Sequence, residues 1–437
     1  MIKLRVLTFW AFATLLALGL PITAQGQDTE TVNYAFKSGD NLSLFASRYL
    51  EGRNAAQTVQ TYNGIKDATK IRPGTVIKIP TILLRGTAIS AKVVAFSGTV
   101  NISGKTPAIG TTVGEGQTLQ TGTPGFLTIA ISGGSNVSIP SKSRVKIVRL
   151  RKYLLTGGSD IDLFVEQGRA ETAAAPIKDA NSRFRMRTPK AVSAVRGTVF
   201  RIGYDGPDSP SLTEVVEGSV AVDSGAANAP ALIPTGFGAA LPKTGKLLQE
   251  ELLPSPQITN SGNIYTDDVV NFKMASITGA MGYHTQIARD AGFLEIFAET
   301  VTRSPEAKFE NVPDGSFFVR SMAIADSGLE GLADKFGFRR RLTKINASKA
   351  SDVHSGAFRI NWVSPTNGKA VYRFQLFDTA QSGIPVIDEP GLETAGITLT
   401  NLPPGSYRWR IAMRQSSLDG TIETWSVPQD FKITQQD

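Results

Sequence analysis

Beyond residue 85 the chain is punctuated rather than helically periodic. Short Val/Ile/Phe/Thr-rich segments are separated by Gly, Pro, Asn and Asp at close intervals, and helix-favouring runs are rare. Segments of that length, bounded by turn residues, form strands and leave little room for packed helices. With 42 Gly and 23 Pro in 437 residues, the fold class expected is mainly β. The length exceeds what one core supports and predicts about three or four domains.

The chain has no cysteine. That excludes disulfides, thiol catalysis and thiolate metal sites. It also excludes a bacterial lipoprotein, which needs a lipid-modified N-terminal Cys. The two histidines, His284 and His354, lie in separate segments, so no His-based metal site is expected. No cofactor is implied. The formal net charge is +8, which suits nucleic acid, anionic lipid or an anionic polymer. For an exported chain, wall polymer or lipid fits better than nucleic acid. The charge is spread, so solubility explains it as well.

Lys3 and Arg5 precede an unbroken apolar run from Val6 to Leu20, followed by Pro21-Ile22-Thr23-Ala24. A basic end, a short apolar core and a small residue at its edge form a signal peptide. Cleavage is expected after Ala24, with Gly26 as the alternative site. An uncleaved anchor is the competing reading, but the run is shorter than the roughly 20 residues a spanning helix needs. No later segment is long and apolar enough to span, so the processed chain is expected to have no transmembrane span.

Residues 31–80 carry the densest local signals. Asn33 to Phe36 reads as a strand, and Lys37 to Asn41 as a turn. Asp40 or Asn41 can cap a helix whose apolar face is Leu42, Phe45, Ala46 and Tyr49. Ala55 to Tyr62 is a second helix closed by Asn63-Gly64. Arg72-Pro73-Gly74 turns into a strand from Thr75 to Pro80. The order is strand, helix, helix, strand.

This segment resembles a LysM domain over its whole length, on Tyr34, Ser38-Gly39-Asp40-Asn41-Leu42, Phe45-Ala46, Tyr49, Tyr62-Asn63-Gly64-Ile65 and Arg72 to Pro80. The resemblance implies binding of N-acetylated glycans, peptidoglycan above all, in a groove between the loop after the first strand and the loop before the second. Carried over, the groove is Gly39, Asp40, Asn41, Leu42 and Ser43, with Asn63, Gly64, Ile65 and Lys66. An acetamido group offers an acceptor, a donor and a methyl. Backbone amides of a glycine turn can meet the first two, and Leu42 and Ile65 can pack the methyl. A shallow groove in a single copy implies weak binding without avidity. The family often has Thr where Asn41 stands, and an aromatic or Ile near Leu44. A turn, a cap and a core account equally well for these residue types.

Residues 85–250 read as closely spaced strands, in a sandwich or solenoid-like stack. They resemble a FecR domain in Gly116 to Gly122, Phe126 to Ile139, Phe164 to Gly168, Thr188 to Phe200 and Thr213 to Val220. That resemblance implies a periplasmic sensing or interaction module and a Gram-negative envelope. FecR regulators act on sigma factors through a cytoplasmic segment; this chain shows neither such a segment nor an internal spanning helix, which puts a direct anti-sigma role in doubt. Arg183, Arg185 and Arg187 alternate with Phe184 and Met186, so they share a strand face. Together with Arg149, Arg151 and Lys152 they make a basic strip, either solvated or facing an acidic partner or anionic polymer.

The C-terminal part repeats itself. Asn311-Val312-Pro313-Asp314-Gly315-Ser316-Phe317-Phe318-Val319-Arg320 matches Asn401-Leu402-Pro403-Pro404-Gly405-Ser406-Tyr407-Arg408-Trp409-Arg410. Leu329-Glu330-Gly331 matches Leu418-Asp419-Gly420, and the strand Tyr283 to Ile287 matches Tyr372 to Leu376. Trp362 is expected in the second core, with Met274 its counterpart in the first. The copies, 256–345 and 350–437, resemble fibronectin type III or immunoglobulin-like sandwiches, which say little about function. Trp409 and Trp425 are core candidates or a sugar platform. Arg339-Arg340-Arg341 reads as a solvated linker.

The architecture expected is therefore a signal peptide (1–24), a LysM module (31–80), a FecR-like domain (85–250) and two sandwiches. A wall amidase or endopeptidase needs zinc-binding histidines or a Cys nucleophile. A glycosidase needs a carboxylate pair, and Glu166, Glu214, Glu217 and Asp162 fall in no recognisable motif. The reading is a non-enzymatic periplasmic adaptor that binds peptidoglycan through LysM and recruits an envelope protein partner. The alternative is an envelope signalling regulator whose FecR-like domain senses or controls an inner-membrane partner.

Overall fold

The computed structural model describes residues 30–434, apart from 178, 226–228, 261–263, 343–344, 348–350, 355–356, 364–369, 382 and 418–419. The expected signal peptide and the Leu418-Asp419 part of the repeat lie outside the described residues. The chain divides into two compact units, Met1–Arg85 and Gly86–Asp437.

In the first unit, β1 (Thr31–Ala35) pairs antiparallel with β2 (Val76–Pro80), from Thr31 opposite Pro80 to Ala35 opposite Val76. Between them run α1 (Leu42–Tyr49) and α2 (Ala55–Tyr62). Helical spacing puts Leu42 and Phe45 on the buried face of α1, and Ala55 and Val59 on that of α2. They close over Val32, Phe36, Ile77 and Ile79. Phe45 lies between Tyr34 and Tyr49, ring centroids 4.8 and 5.2 Å away.

The second unit is all strand and turn among its described residues. A 15-stranded sheet spans Gly86 to Glu251, with Ser159–Ala173 as its longest strand. That strand pairs with Arg183–Arg187 in parallel and with Val199–Tyr204 antiparallel. Strand alternation sends Val, Ile and Leu side chains into one continuous core.

The repeated segments fold as two sheet pairs. The first has a five-stranded sheet containing Gly282–Ala288, Ile296–Thr302 and Gly315–Ile324, with Val270–Lys273 paired to Glu306–Phe309. The second has a five-stranded sheet containing Ala370–Asp378, Ile387–Leu392 and Gly405–Ser417, and a four-stranded sheet containing Ala357–Val363. Asn311 and Asn401, at matching repeat positions, share a left-handed φ of 57° and 61°. Trp362, Trp409 and Met274 are buried core residues. Trp425 is half-buried, so the two indoles make no joint platform.

Arg340 corrects the linker reading of Arg339-Arg340-Arg341. It ends the strand Lys335–Arg340, is 1% exposed, and donates through Nη1 to the Tyr265 carbonyl at 3.0 Å. Strand alternation points this arginine inward, where backbone carbonyls accept its protons.

Candidate functional site

Antiparallel pairing of β1 with β2 puts the end of one strand beside the start of the other. The residues that leave β1 and those that enter β2 therefore meet at one end: Gly74 N–H donates to Phe36 O at 2.7 Å, and Phe36 N–H to Thr75 O at 2.9 Å. The expected second loop begins elsewhere, at Asn63, which bonds to Lys78 opposite Asn33 in the middle of the pair. Asp40 fastens the first loop. Its carboxylate accepts from Lys37 N–H at 2.7 Å and the Tyr34 hydroxyl at 2.8 Å. Those donors, the Lys37 amide foremost, hold the Asp40 carboxyl below its usual range. Burial, aided by the Asp40 bond, pushes the Tyr34 phenol up to about 12.

Asn41 caps α1, its side-chain oxygen accepting from Ser43 N–H at 2.8 Å and Leu44 N–H at 3.3 Å. Asn63 is a clasp: its amide donates to Val59 O and Lys78 O, each at 2.8 Å, and accepts from Lys78 N–H at 2.7 Å. It ties the end of α2 to β2 and leaves its amide occupied. Gly39 and Gly64 turn with φ of +87° and +62°, a region that L side chains rarely adopt.

Of the nine residues expected to line the groove, Gly39, Asn41, Ser43, Gly64 and Lys66 are exposed, and Asp40, Asn63 and Ile65 are half-buried. Leu42 is 2% exposed and packs in the core, so it cannot meet a ligand methyl. Its place on the buried face of α1 is the physical reason. The exposed apolar side chain at that helix end is Leu44, 58% exposed, which helical spacing from Leu42 and Phe45 could have found.

Most of the basic strip is not a free surface. Arg185 is 6% exposed, and Arg183 and Arg187 are half-buried. Parallel pairing sets Arg183 opposite Asp160 and Arg185 opposite Asp162. Arg185 lies 3.2 Å from Asp160 and 3.5 Å from Asp162, Arg187 donates to Asp162 at 2.7 Å, and Arg149 to Asp160 at 3.1 Å. Burial raises the Asp162 carboxyl against the lowering pull of Arg185 and Arg187. Arg149, Arg185 and Arg187 are thus members of an internal ion network, Arg151 pairs with Glu115, and Lys152 is exposed.

Sequence reasoning missed a second network, where the large sheet packs on the first sheet pair. Glu214, fully buried, accepts from Arg169 at 3.0 Å, Arg201 at 3.2 Å and Glu330 N–H at 3.0 Å. His284 holds Glu330 at Nδ1, 2.8 Å, and Glu299 at Nε2, 2.9 Å. With a carboxylate on each ring nitrogen, both nitrogens must donate, so this is an imidazolium. Burial opposes that charge, but Glu330 and Glu299 outweigh it and push His284 up to about 9. Burial likewise opposes ionisation of Glu330, and the Arg169 and His284 charges hold it far below its usual range. Arg320 closes the seam with a bidentate pair to Glu171 at 3.0 and 2.6 Å. Beside it opens a cleft of about 570 Å³ lined by Phe126, Lys142, Asp205 and Glu299.

Two of the candidate carboxylates for glycosidase chemistry, Glu214 and Asp162, are thus enclosed by arginines. Among the described residues no group of His, Cys, Asp or Glu could hold a metal ion. No helix among them is long and apolar enough to cross a membrane.

Comparison with known families bears directly on the first unit and the large sheet. The LysM domain family matches residues 34–80, and the FecR protein family matches residues 117–221. The chain carries a LysM domain and a FecR domain. No curated protein matches it. Among solved structures, a candidate anti-sigma factor from Parabacteroides distasonis ATCC 8503 is 16% identical, with a TM-score of 0.26, over 31% of this chain and 59% of that one. The chain thus spans less than two thirds of that structure. A two-domain fibronectin type III segment of chicken tenascin is 11% identical, with a TM-score of 0.25, over 42% of this chain and all of that one. The FN1–FN3 domains of chicken CNTN1 are 13% identical, with a TM-score of 0.22, over 56% of this chain and 93% of that one.

Proposed function

We propose that this chain is a non-enzymatic, peptidoglycan-binding adaptor of the bacterial periplasm. The observation that carries the reading is the LysM match over residues 34–80, on a strand–helix–helix–strand unit in which the first expected loop follows β1 and the second is tied to β2 through the Asn63–Lys78 bonds. Exposed Gly39, Asn41, Ser43, Gly64 and Lys66, with Ile65 and Leu44 as apolar contacts, form the proposed groove. Their backbone amides meet the acetamido carbonyl and N–H of the glycan. Residues 1–24 export the chain and are removed, residues 31–80 tether it, and residues 85–250, 256–345 and 350–437 present surfaces to a protein partner.

The FecR match favours a second reading, in which the same chain regulates envelope signalling and the LysM domain only localises it. Purified sacculi test the tether. The full chain is expected to sediment with them, and a chain lacking residues 31–80 to stay in the supernatant. Failure of the intact chain to sediment, or equal retention without those residues, overturns the proposal. If retention holds, a changed transcriptional output on deleting the chain supports the signalling reading over the adaptor.

A further inference from the structure

The two repeat copies carry the same polar quartet on one sheet face, in the same register. In the first copy Gln286 sits opposite Arg320 on one neighbouring strand and opposite Glu299 on the other. In the second, Gln375 sits opposite Arg410 and opposite Asp388. The hydrogen bonds repeat as well. Arg320 Nε donates to Gln286 Oε1 at 2.9 Å, and Arg410 Nε to Gln375 Oε1 at 2.9 Å. Gln286 Nε2 donates to Glu299 at 3.0 Å, and Gln375 Nε2 to Asp388 at 3.0 Å. The fourth member lies two residues before each glutamine: His284 on Glu299, and Arg373 on Asp388 at 2.7 Å. Each central guanidinium lies over an aromatic ring, Arg320 4.5 Å from the Phe293 centroid and Arg410 4.3 Å from that of Trp425.

The difference lies in what covers the face. Arg320 offers its Nη1–Nη2 edge to Glu171, a carboxylate presented by the long Ser159–Ala173 strand of the large sheet. Arg410 has no carboxylate within ion-pair distance among the described residues, although Asp388 and Asp430 stand near and are engaged by Arg373 and Arg408. Gln375 takes Nε and one proton of Nη2, at 2.7 Å. Nη1 and the other Nη2 proton remain, the fork that binds a carboxylate end-on. Phe377, 5.3 Å from the guanidinium on another side, joins Trp425 in fixing it. That fork opens on a cleft of about 440 Å³, bordered by Phe377, Thr379, Gln381 and Arg408.

We propose that this face of the second sandwich docks a partner protein that presents a glutamate or aspartate on an extended segment, as Glu171 is presented to the first copy. Arg410 is its anchor: a guanidinium held by rings and an amide, with its charge open, takes a carboxylate with little further loss of side-chain freedom. The first copy is spent on an internal contact, and the second keeps the same device for an external one. This deepens the adaptor reading by stating what the partner presents, and it does not depend on glycan binding.

A fluorescently labelled peptide of residues 167–175, carrying Glu171, serves as probe against the full chain. Saturable binding by anisotropy is expected below about 10 mM, a weak single-anchor affinity. The same peptide with Gln in place of Glu, and the Arg410→Gln chain with the original peptide, are each expected to bind about tenfold more weakly or worse. Arg410→Lys, which keeps the charge and loses the fork, should fall between, and Arg320→Gln should leave peptide binding unchanged. Circular dichroism verifies the fold of each variant. No saturation in that range, equal binding of the Glu and Gln peptides, or full binding by folded Arg410→Gln overturns the proposal. Sacculus retention is read separately, so failure of either proposal leaves the other standing.

Discussion

Asp160 is fully buried and lies between two arginines. Arg149 donates to one oxygen at 3.1 Å, Arg185 lies 3.2 Å from the other, and the Tyr153 hydroxyl donates as well. A buried pair adds little net stability over an apolar replacement, but breaking one side leaves an uncompensated charge. Asp160→Ala is therefore expected to cost about 3–5 kcal/mol, read as a lowered urea midpoint at unchanged slope. A change within 1 kcal/mol or so would mean that water screens the arginines. Asp40 behaves differently because it is only half-buried and has no arginine bonded to it among the described residues. Its carboxyl is lowered by Lys37 N–H and the Tyr34 hydroxyl, so its contribution is present above the unfolded value and is lost as pH falls through the lowered one.

At the scale of elements, one side chain does the work of a hairpin in the LysM unit. Asn63 spends its whole amide on Val59 and on both backbone groups of Lys78. Asn63→Ala strips three bonds from α2 and β2 and is expected to cost about 1–3 kcal/mol, seen as faster hydrogen exchange at the β1–β2 amides and unchanged exchange beyond residue 86. The elements of this unit were legible because their causes are local: a cap, a 3.6-residue apolar face and glycine turns all lie within a few residues. The repeat was legible for the same reason. The buried arginines were not. Alternation showed that Arg183, Arg185 and Arg187 share a face, but the carboxylates that cover it arrive through a parallel pairing with Asp160 and Asp162. Sequence patterning carries no mark of that partner. Leu42 was read both as part of the apolar face of α1 and, through the family resemblance, as a groove residue; that face is turned into the core, so only the first role holds.

At the scale of the whole second unit, the large sheet and the first sheet pair are joined through a seam that is both apolar and ionic. Phe126 packs with Ala288, Phe293 and Ile296, and Thr128 donates to Leu294 O at 2.7 Å across 166 residues of sequence. No local pattern could announce contacts of that separation, which is why the domains read as beads. The ionic half of the seam predicts an alkaline limit. His284 is held between Glu299 and Glu330, with Arg169, Arg201, Glu214, Arg320 and Glu171 packed around them. Its charged form is favoured by folding, from an ordinary 6.5 up to about 9. The stabilisation is therefore complete below pH 6.5 and is lost as pH rises through 9. A shift of that size corresponds to a few kcal/mol, on the order of 1.4 kcal/mol per pH unit. Calorimetry is expected to show the sheet and the first pair melting together in mildly acidic solution, and the transition falling as pH rises from about 6.5 to about 9. In His284→Gln, which hydrogen-bonds without the charge, the melt should start lower and its alkaline fall should disappear. An alkaline fall of the same size in that variant would assign it to another group and leave His284 as packing alone.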